Sequence, residues 1–247
     1  MTEVFDVLLL LARPAAGKSE VIDYLKKTPL AERQERFHVG ELAEVDDFPM
    51  LWTWFEEDAL LARMGQPRLY TDAEGYFLHQ YLWDLLIERI CLEVKKADRV
   101  VRPGDPARTT LVEFSRGTEH GVYRSAFAHL DPQLLGRMAV LYIDVTWQES
   151  LRKNRRRFNP SRPDSILEHG LPDAKLERLY KDIDWPEVSA ADPAYLSIQG
   201  QRVPYVVFDN ADDVTTARVA ALGERLQSVL AALWQRNESL TRVCQPQ

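Results

Sequence analysis

Val4-Phe5-Asp6-Val7-Leu8-Leu9-Leu10-Leu11-Ala12-Arg13-Pro14-Ala15-Ala16-Gly17-Lys18-Ser19 opens as a short apolar run and ends in glycine, lysine and serine. Residues 4–12 are too few for a buried helix and stop sharply before Pro14 and Gly17, which reads as a buried parallel strand. Glu20–Lys27 then reads as a helix stopped by Pro29. Outward from this unit, further strands are expected around Phe37–Val45, Thr109–Phe114, Met138–Val145 and Val203–Phe208. Helices are expected at Ala73–Lys96, Tyr123–Leu130 (with Pro132–Gly136 continuing it), Trp147–Arg157 and Val214–Trp234. In the first of these, Phe77, Tyr81, Leu85 and Ile90 would share an apolar face. Residues 158–200 are polar and rich in proline and charge, and read as an irregular insertion with short helices. Near-continuous apolar strands alternating with helices argue for an α/β chain, its mainly parallel five-stranded sheet covered by helices on both faces.

The chain has 247 residues, room for one large domain with an inserted segment. Hydrophobic residues at 45% and charged residues at 28% exclude disordered and fibrous classes. A net charge of −7 argues against a dedicated nucleic-acid binder. Cys91 and Cys244 form neither metal spacing nor a disulfide framework, which fits a reducing cytosol. No apolar run approaches the roughly 20 residues that span a bilayer. The run before Arg13 lacks the basic leader of a signal peptide, with Glu3 and Asp6 ahead of it. A soluble, cytoplasmic chain without a membrane partner is expected.

Ala12-Arg13-Pro14-Ala15-Ala16-Gly17-Lys18-Ser19 resembles the Walker A loop of P-loop NTPases, GxxxxGK[ST], with Ala12 in place of the first glycine. The resemblance implies that backbone amides from Arg13 to Ser19 cradle phosphates at a helix N-terminus. It implies Lys18 on the β- and γ-phosphates and the Ser19 hydroxyl on Mg²⁺. Gly17 lets the backbone approach the phosphate. Alanine at position 12 suits the loop only where the backbone needs no positive φ.

The rest of the chain resembles the nucleoside and nucleoside-monophosphate kinases, and four segments carry the likeness. Glu44-Val45-Asp46-Asp47-Phe48 is similar to the Asp-Asp-Phe/Tyr element of uridine-kinase-like enzymes, whose carboxylate accepts the proton of the attacking hydroxyl. Asp47 aligns best with it and Asp46 follows closely; a solvated acidic turn explains the same residues. Val112-Glu113-Phe114-Ser115-Arg116-Gly117 is similar to the Glu-Arg-Ser element of deoxynucleoside kinases. Glu113 would order metal-bound water or act as base, and Arg116 would hold a phosphate; a salt bridge between the two is the plain alternative. Arg152, Arg155 and Arg156 share one helix face and resemble the arginines that enter the lid of monophosphate kinases. Their alternative is a solvated basic face. Asn210 opens the loop after the last strand, where these families pack adenine; a helix cap at Asp212 or Asp213 is the alternative.

The aromatic segment 48–83 is where these families place the acceptor base. Trp52, Trp54, Tyr70 and Tyr76 could stack on a ring and Gln80 bond its edge, or they pack a core. His79, His120 and His169 show no metal spacing. The resemblance implies one domain over 1–247 with a lid-like insertion at 147–200. The activity it implies is transfer of the γ-phosphate of ATP, with Mg²⁺, to a nucleoside, nucleotide or similar hydroxylated metabolite. Arg116 and Arg36 would serve a monophosphate acceptor. Two other readings stay open at this point: a nucleotide-dependent switch, although the Asn-Lys-x-Asp element of guanine readers is missing, and a P-loop protein that only binds nucleotide. Homo-oligomers are compatible with all three.

Overall fold

The computed structural model describes residues 3–157, 170–216 and 219–243, so residues 158–169 of the expected insertion, His169 and Cys244 lie outside the described residues. In chain order the elements are β1 (Val7–Ala12), α1 (Lys18–Lys27), α2 (Leu30–Phe37), β2 (Glu41–Asp46), α3 (Asp47–Arg63) and α4 (Tyr81–Asp98). There follow β3 (Arg108–Phe114), a 3-10 turn (Thr118–His120), α5 (Val122–Ala128), α6 (Pro132–Leu135), β4 (Met138–Asp144) and α7 (Trp147–Arg157). The chain closes with α8 (Asp173–Tyr180), α9 (Trp185–Ser189), β5 (Tyr195–Ile198), β6 (Gln201–Asp209) and α10 (Val219–Val243).

The sheet has six strands in the order β2-β3-β1-β4-β6-β5. Every pairing is parallel except β5 with β6. β1 shows why: all six of its residues are buried, and the two-residue period sends them to opposite faces. Val7, Leu9 and Leu11 meet α4 and α5 residues such as Ile87, Ile90 and Phe127. Leu8, Leu10 and Ala12 meet Val21, Ile22 and Leu25 of α1 and Leu222, Leu226 and Leu230 of α10. This is the three-layer arrangement expected. Because β3 and β4 flank β1 on either side, the crossovers after β1 and β3 part at the carboxyl ends of the strands, where such sheets bind ligands.

Four expectations need correction. The sheet has a sixth strand: Gln199 and Gly200, both at positive φ, turn a hairpin that pairs Ile198 with Gln201. Phe37 ends a helix instead of opening β2; α2 buries only Arg33 and Phe37 and so carries no apolar stripe to betray it. The helix expected from Ala73 starts at Tyr81, and its buried face is Leu82, Leu86, Ile87, Ile90 and Val94. Tyr81 and Leu85 face solvent. Finally, the described part of the expected insertion carries the short helices expected, α8 and α9, but it also packs side chains into the core. Leu176 and Leu179 are buried, and Trp185 stacks on Tyr142 with ring centroids 3.8 Å apart.

Candidate active site

The loop after β1 is tied down by its carbonyls. Tyr123 donates its hydroxyl to the Ala12 carbonyl at 3.2 Å, Ser150 to that of Pro14 at 2.8 Å, and Asn210 its amide to that of Ala16 at 2.8 Å. Gly17, the N-cap of α1, has no side chain to cap the helix, so the first amides of α1 are left as donors for an anion. Gly17 has φ 113, and a Cβ there would lie 2.7 Å from Thr215 Oγ1 and 2.9 Å from Asn210 Nδ2. Ala12 is the extended last residue of β1; the positive φ within the loop falls at Ala15 (57) as well as Gly17. Alanine at position 12 therefore carries no backbone conflict. Ser19 is exposed and Lys18 half-buried.

Arg13 reaches away from the loop, donating to the carbonyls of Tyr180 at 2.5 Å and Lys181 at 2.6 Å, at the end of α8. Asn210, expected at a base site, is fully buried behind the loop, where it also bonds Thr215 Oγ1 at 2.8 Å.

Lys18 Nζ donates to Ser115 Oγ at 2.6 Å, linking the loop to the end of β3. There the register sets Asp46 of β2 opposite Glu113 of β3. Burial pushes the Asp46 carboxyl up to about 7, helped by the charges of Glu113 and Asp47; its hydrogen bond from the Phe48 amide (2.9 Å) and the charge of Lys18 oppose this. Burial also raises Glu113, with Asp47 and Glu44 adding to it and Lys18 and Arg157 opposing.

Asp47 stands one residue on and is differently placed. Arg116 donates to its Oδ2 at 2.6 Å, and also to the carbonyls of Ser115 at 2.8 Å and Trp83 at 3.3 Å. The guanidinium lies over the rings of Phe114 and Trp83, and both charged residues are buried. The salt bridge between Arg116 and Glu113, offered above as the plain alternative, is instead made between Arg116 and Asp47. Gly117 follows, packed so closely on α8 that a Cβ would sit 2.0 Å from the Leu179 carbonyl oxygen. His120 is buried against Trp83 and Tyr180 and accepts from the Gly117 amide at 3.1 Å; burial and Arg116 hold its imidazole well below the usual range.

The three arginines of α7 each have an acidic neighbour. Arg152 donates to Glu149 at 2.6 Å and Asp213 at 2.9 Å, Arg155 to Asp173 at 2.8 Å, and Arg156 approaches Asp213 at 3.7 Å. Arg157, which sequence reasoning passed over, pairs with Glu20 at 2.8 Å, one residue beyond Ser19. Arg36 lies by the amino end of β2, bonded to Glu32 at 2.5 Å and Gln227 at 3.1 Å, away from the loop. Trp54 and Tyr70 stack inside a small core with Leu82, Trp83 and Leu86. Tyr76 is covered by Arg178, whose guanidinium lies 3.9 Å from the ring centroid, and Gln80 bonds the His120 carbonyl at 3.3 Å. Two grooves, of about 290 and 420 Å³, lie at Glu41–Ala43 with Val100 and at Phe127 with Leu196. Neither is lined by a residue of the loop or by the carboxylates beside it.

The oxygen donors at the loop suit a hard cation held mainly by phosphates: an exposed serine hydroxyl and nearby carboxylates, with no cluster of three or more His, Cys, Asp or Glu among the described residues. No described helix is long and apolar enough to cross a membrane.

No family model and no curated protein matches the chain. Among solved structures it is similar to a gluconokinase from Sinorhizobium meliloti, at 14% identity and TM-score 0.47, over 97% of this chain and 98% of that one. It is also similar to a sugar kinase from a Janibacter species, at 16% identity and TM-score 0.41, over 94% and 98%.

Proposed function

We propose that the chain is a cytoplasmic, ATP-dependent phosphotransferase acting on a hydroxyl of a small metabolite. One juxtaposition supports the reading: Lys18 of the loop meets Ser115 at the end of β3, beside the register pair Asp46 and Glu113. A phosphate donor and a proton acceptor are thereby brought to one place.

The loop amides and Lys18 hold the β- and γ-phosphates. Mg²⁺, held by Ser19 and the phosphates with Glu113 close by, would supply charge neutralisation as the phosphoryl group moves. Asp46 takes the acceptor's hydroxyl proton. The acceptor's oxygen then bonds to the γ-phosphorus while the bond to the β–γ bridging oxygen breaks and ADP leaves. A base with a pKa of about 7 is matched to that task at neutral pH. Asp47 and Glu113 position and tune it. Arg157 and the face formed by Arg152, Arg155 and Arg156 exchange their acidic partners for the nucleotide's phosphates and neutralise charge on the transferring group.

The test is ADP release from Mg-ATP against nucleosides, nucleoside monophosphates, sugars and sugar acids, with Lys18→Ala beside it. Turnover stimulated by one acceptor and lost in Lys18→Ala is expected. ATP binding without stimulation by any acceptor would replace this reading with a switch or binding protein.

A further inference from the structure

One helix face is left uncovered by the fold. α4 buries Leu82, Leu86, Ile87, Ile90, Cys91 and Val94, and its other face is exposed: Tyr81, Leu85, Glu88, Arg89, Leu92 and Lys96. Tyr81 is 60% exposed, Leu85 42% and Leu92 47%. At 100° per residue these six positions fall within an arc of about 100°, a continuous stripe along the helix. Three large apolar side chains thus share this exposed face with three charges; Lys96 pairs with Glu93 at 2.7 Å and Tyr81 stacks on His79. A mixed face of this kind can be covered by a surface of matching pattern.

Its charges say what covers it. Glu88 and Arg89 sit at the centre of the stripe. Glu88 has one exposed contact, with His129 at 3.1 Å, and Arg89 has no ion-pair partner among the described residues. If two copies of α4 lie antiparallel about a twofold axis between positions 88 and 89, Leu85 of each copy meets Leu92 of the other. Glu88 then meets Arg89, and Tyr81 meets the Lys96 stem. Parallel alignment would set Glu88 on Glu88 and Arg89 on Arg89. Sliding the antiparallel pair by four would set Leu85 on Glu88, or Leu92 on Arg89. Only the centred register satisfies both leucines and both charges, and it does so by the self-complementary rule of a twofold interface. We propose that α4 is the interface of a homodimer in this antiparallel register. A stripe of this span is about 24 Å long, at the small end of specific interfaces, so the dimer is in concentration-dependent equilibrium with monomer.

Sedimentation velocity of the full chain over a wide concentration range reads this directly. Leu85→Glu and Leu92→Glu should each weaken self-association roughly tenfold or more. Glu88→Arg and Arg89→Glu should each weaken it too, and the two combined should restore it, which loss of the His129 contact alone does not explain. A monomer at every concentration, a dimer indifferent to these changes, or a double swap no better than the singles would overturn the proposal. If a charge variant fails to fold, Leu85→Cys with Leu92→Cys, in a Cys244→Ser background, gives a second readout. Mild oxidation should yield a covalent dimer with both cysteines and little with either alone; no covalent dimer would overturn the register.

Discussion

On the β1 side of the candidate site, the carbonyls of Ala12, Pro14 and Ala16 are each gripped from behind by a side chain, from Tyr123, Ser150 and Asn210. On the β2 side, two neighbouring aspartates have opposite fates: Asp47 is locked to buried Arg116, while Asp46 stays half-buried beside Glu113 with its pKa raised. The first side is a scaffold whose carbonyls are satisfied from behind, which leaves the uncapped amides at the start of α1 as donors. The second is a pair in which one carboxylate is tied to a buried arginine and the other caps α3 beside Glu113. Adjacency in sequence therefore does not assign roles; the partner brought by β3 does.

The sharpest way to break this comparison is to exchange the aspartates' fates. Lys18→Ala should abolish measurable turnover. Asp46→Asn should lower kcat by about 10²–10⁴, the scale of lost general-base catalysis, with nucleotide affinity kept. Asp47→Asn should fail differently. It leaves Arg116 buried without its counter-charge, which costs about 3 kcal/mol in denaturant unfolding. If Asp47→Asn loses turnover at full stability while Asp46→Asn stays active, the assignment is reversed.

On the scaffold side, Asn210→Ala removes the bonds to Ala16 and Thr215 at a fully buried position. A loss of about 2 kcal/mol in stability is expected, with nucleotide binding weakened as the loop loosens. Unchanged stability with altered preference for the nucleotide base would return Asn210 to the role the kinase resemblance implied.

How much of this was legible in the sequence follows the same divide. The strand, loop and helix around Gly17 are contiguous, so their chemistry is written locally, and the apolar runs of β3, β4 and β6 were found within a few residues. The contacts that assign roles join positions far apart. Arg116 to Asp47 spans 69 residues, Lys18 to Ser115 spans 97, and Asn210 to Ala16 spans 194. No local pattern carries such pairs. Gly200 hinted at the turn into β6, but Gln199 at positive φ is none of the residue types that usually mark a two-residue hairpin. The Tyr81–Leu85 spacing was helical, but the period of a stripe does not tell a buried face from an exposed one.

A pH series sharpens the aspartate comparison further. Asp46 holds its proton more tightly in the folded state, at about 7 against 3.8. The stability this gives is complete below 3.8 and is lost as pH rises through 7, because the folded chain must then carry a buried charge. Asparagine caps α3 as well as aspartate does and cannot ionise. Asp46→Asn should therefore melt higher than the parent at pH 8, by about 5 °C for an effect on the order of 2 kcal/mol, and the two curves should converge near pH 4. Equal melting temperatures at pH 8 would mean that Asp46 is ionised at no cost.

The smallest effect tests where the loop is strained. Ala15 sits at φ 57 and Ala12 in extended backbone, although it is position 12 that departs from the P-loop pattern. Glycine relieves an alanine held in the left-handed region, by about 1 kcal/mol, but costs 0.5–1 kcal/mol in unfolded-chain entropy, so Ala15→Gly should be close to neutral. Ala12→Gly brings no such relief. It loses a buried methyl and the strand preference, and should destabilise by about 1 kcal/mol, with no gain in nucleotide affinity. The order of the two melting temperatures is the readout. If Ala12→Gly were the more stable and bound ATP more tightly, restoring the pattern would matter more than the backbone at position 15, and the loop would need a conformation other than the one its three carbonyl bonds now hold.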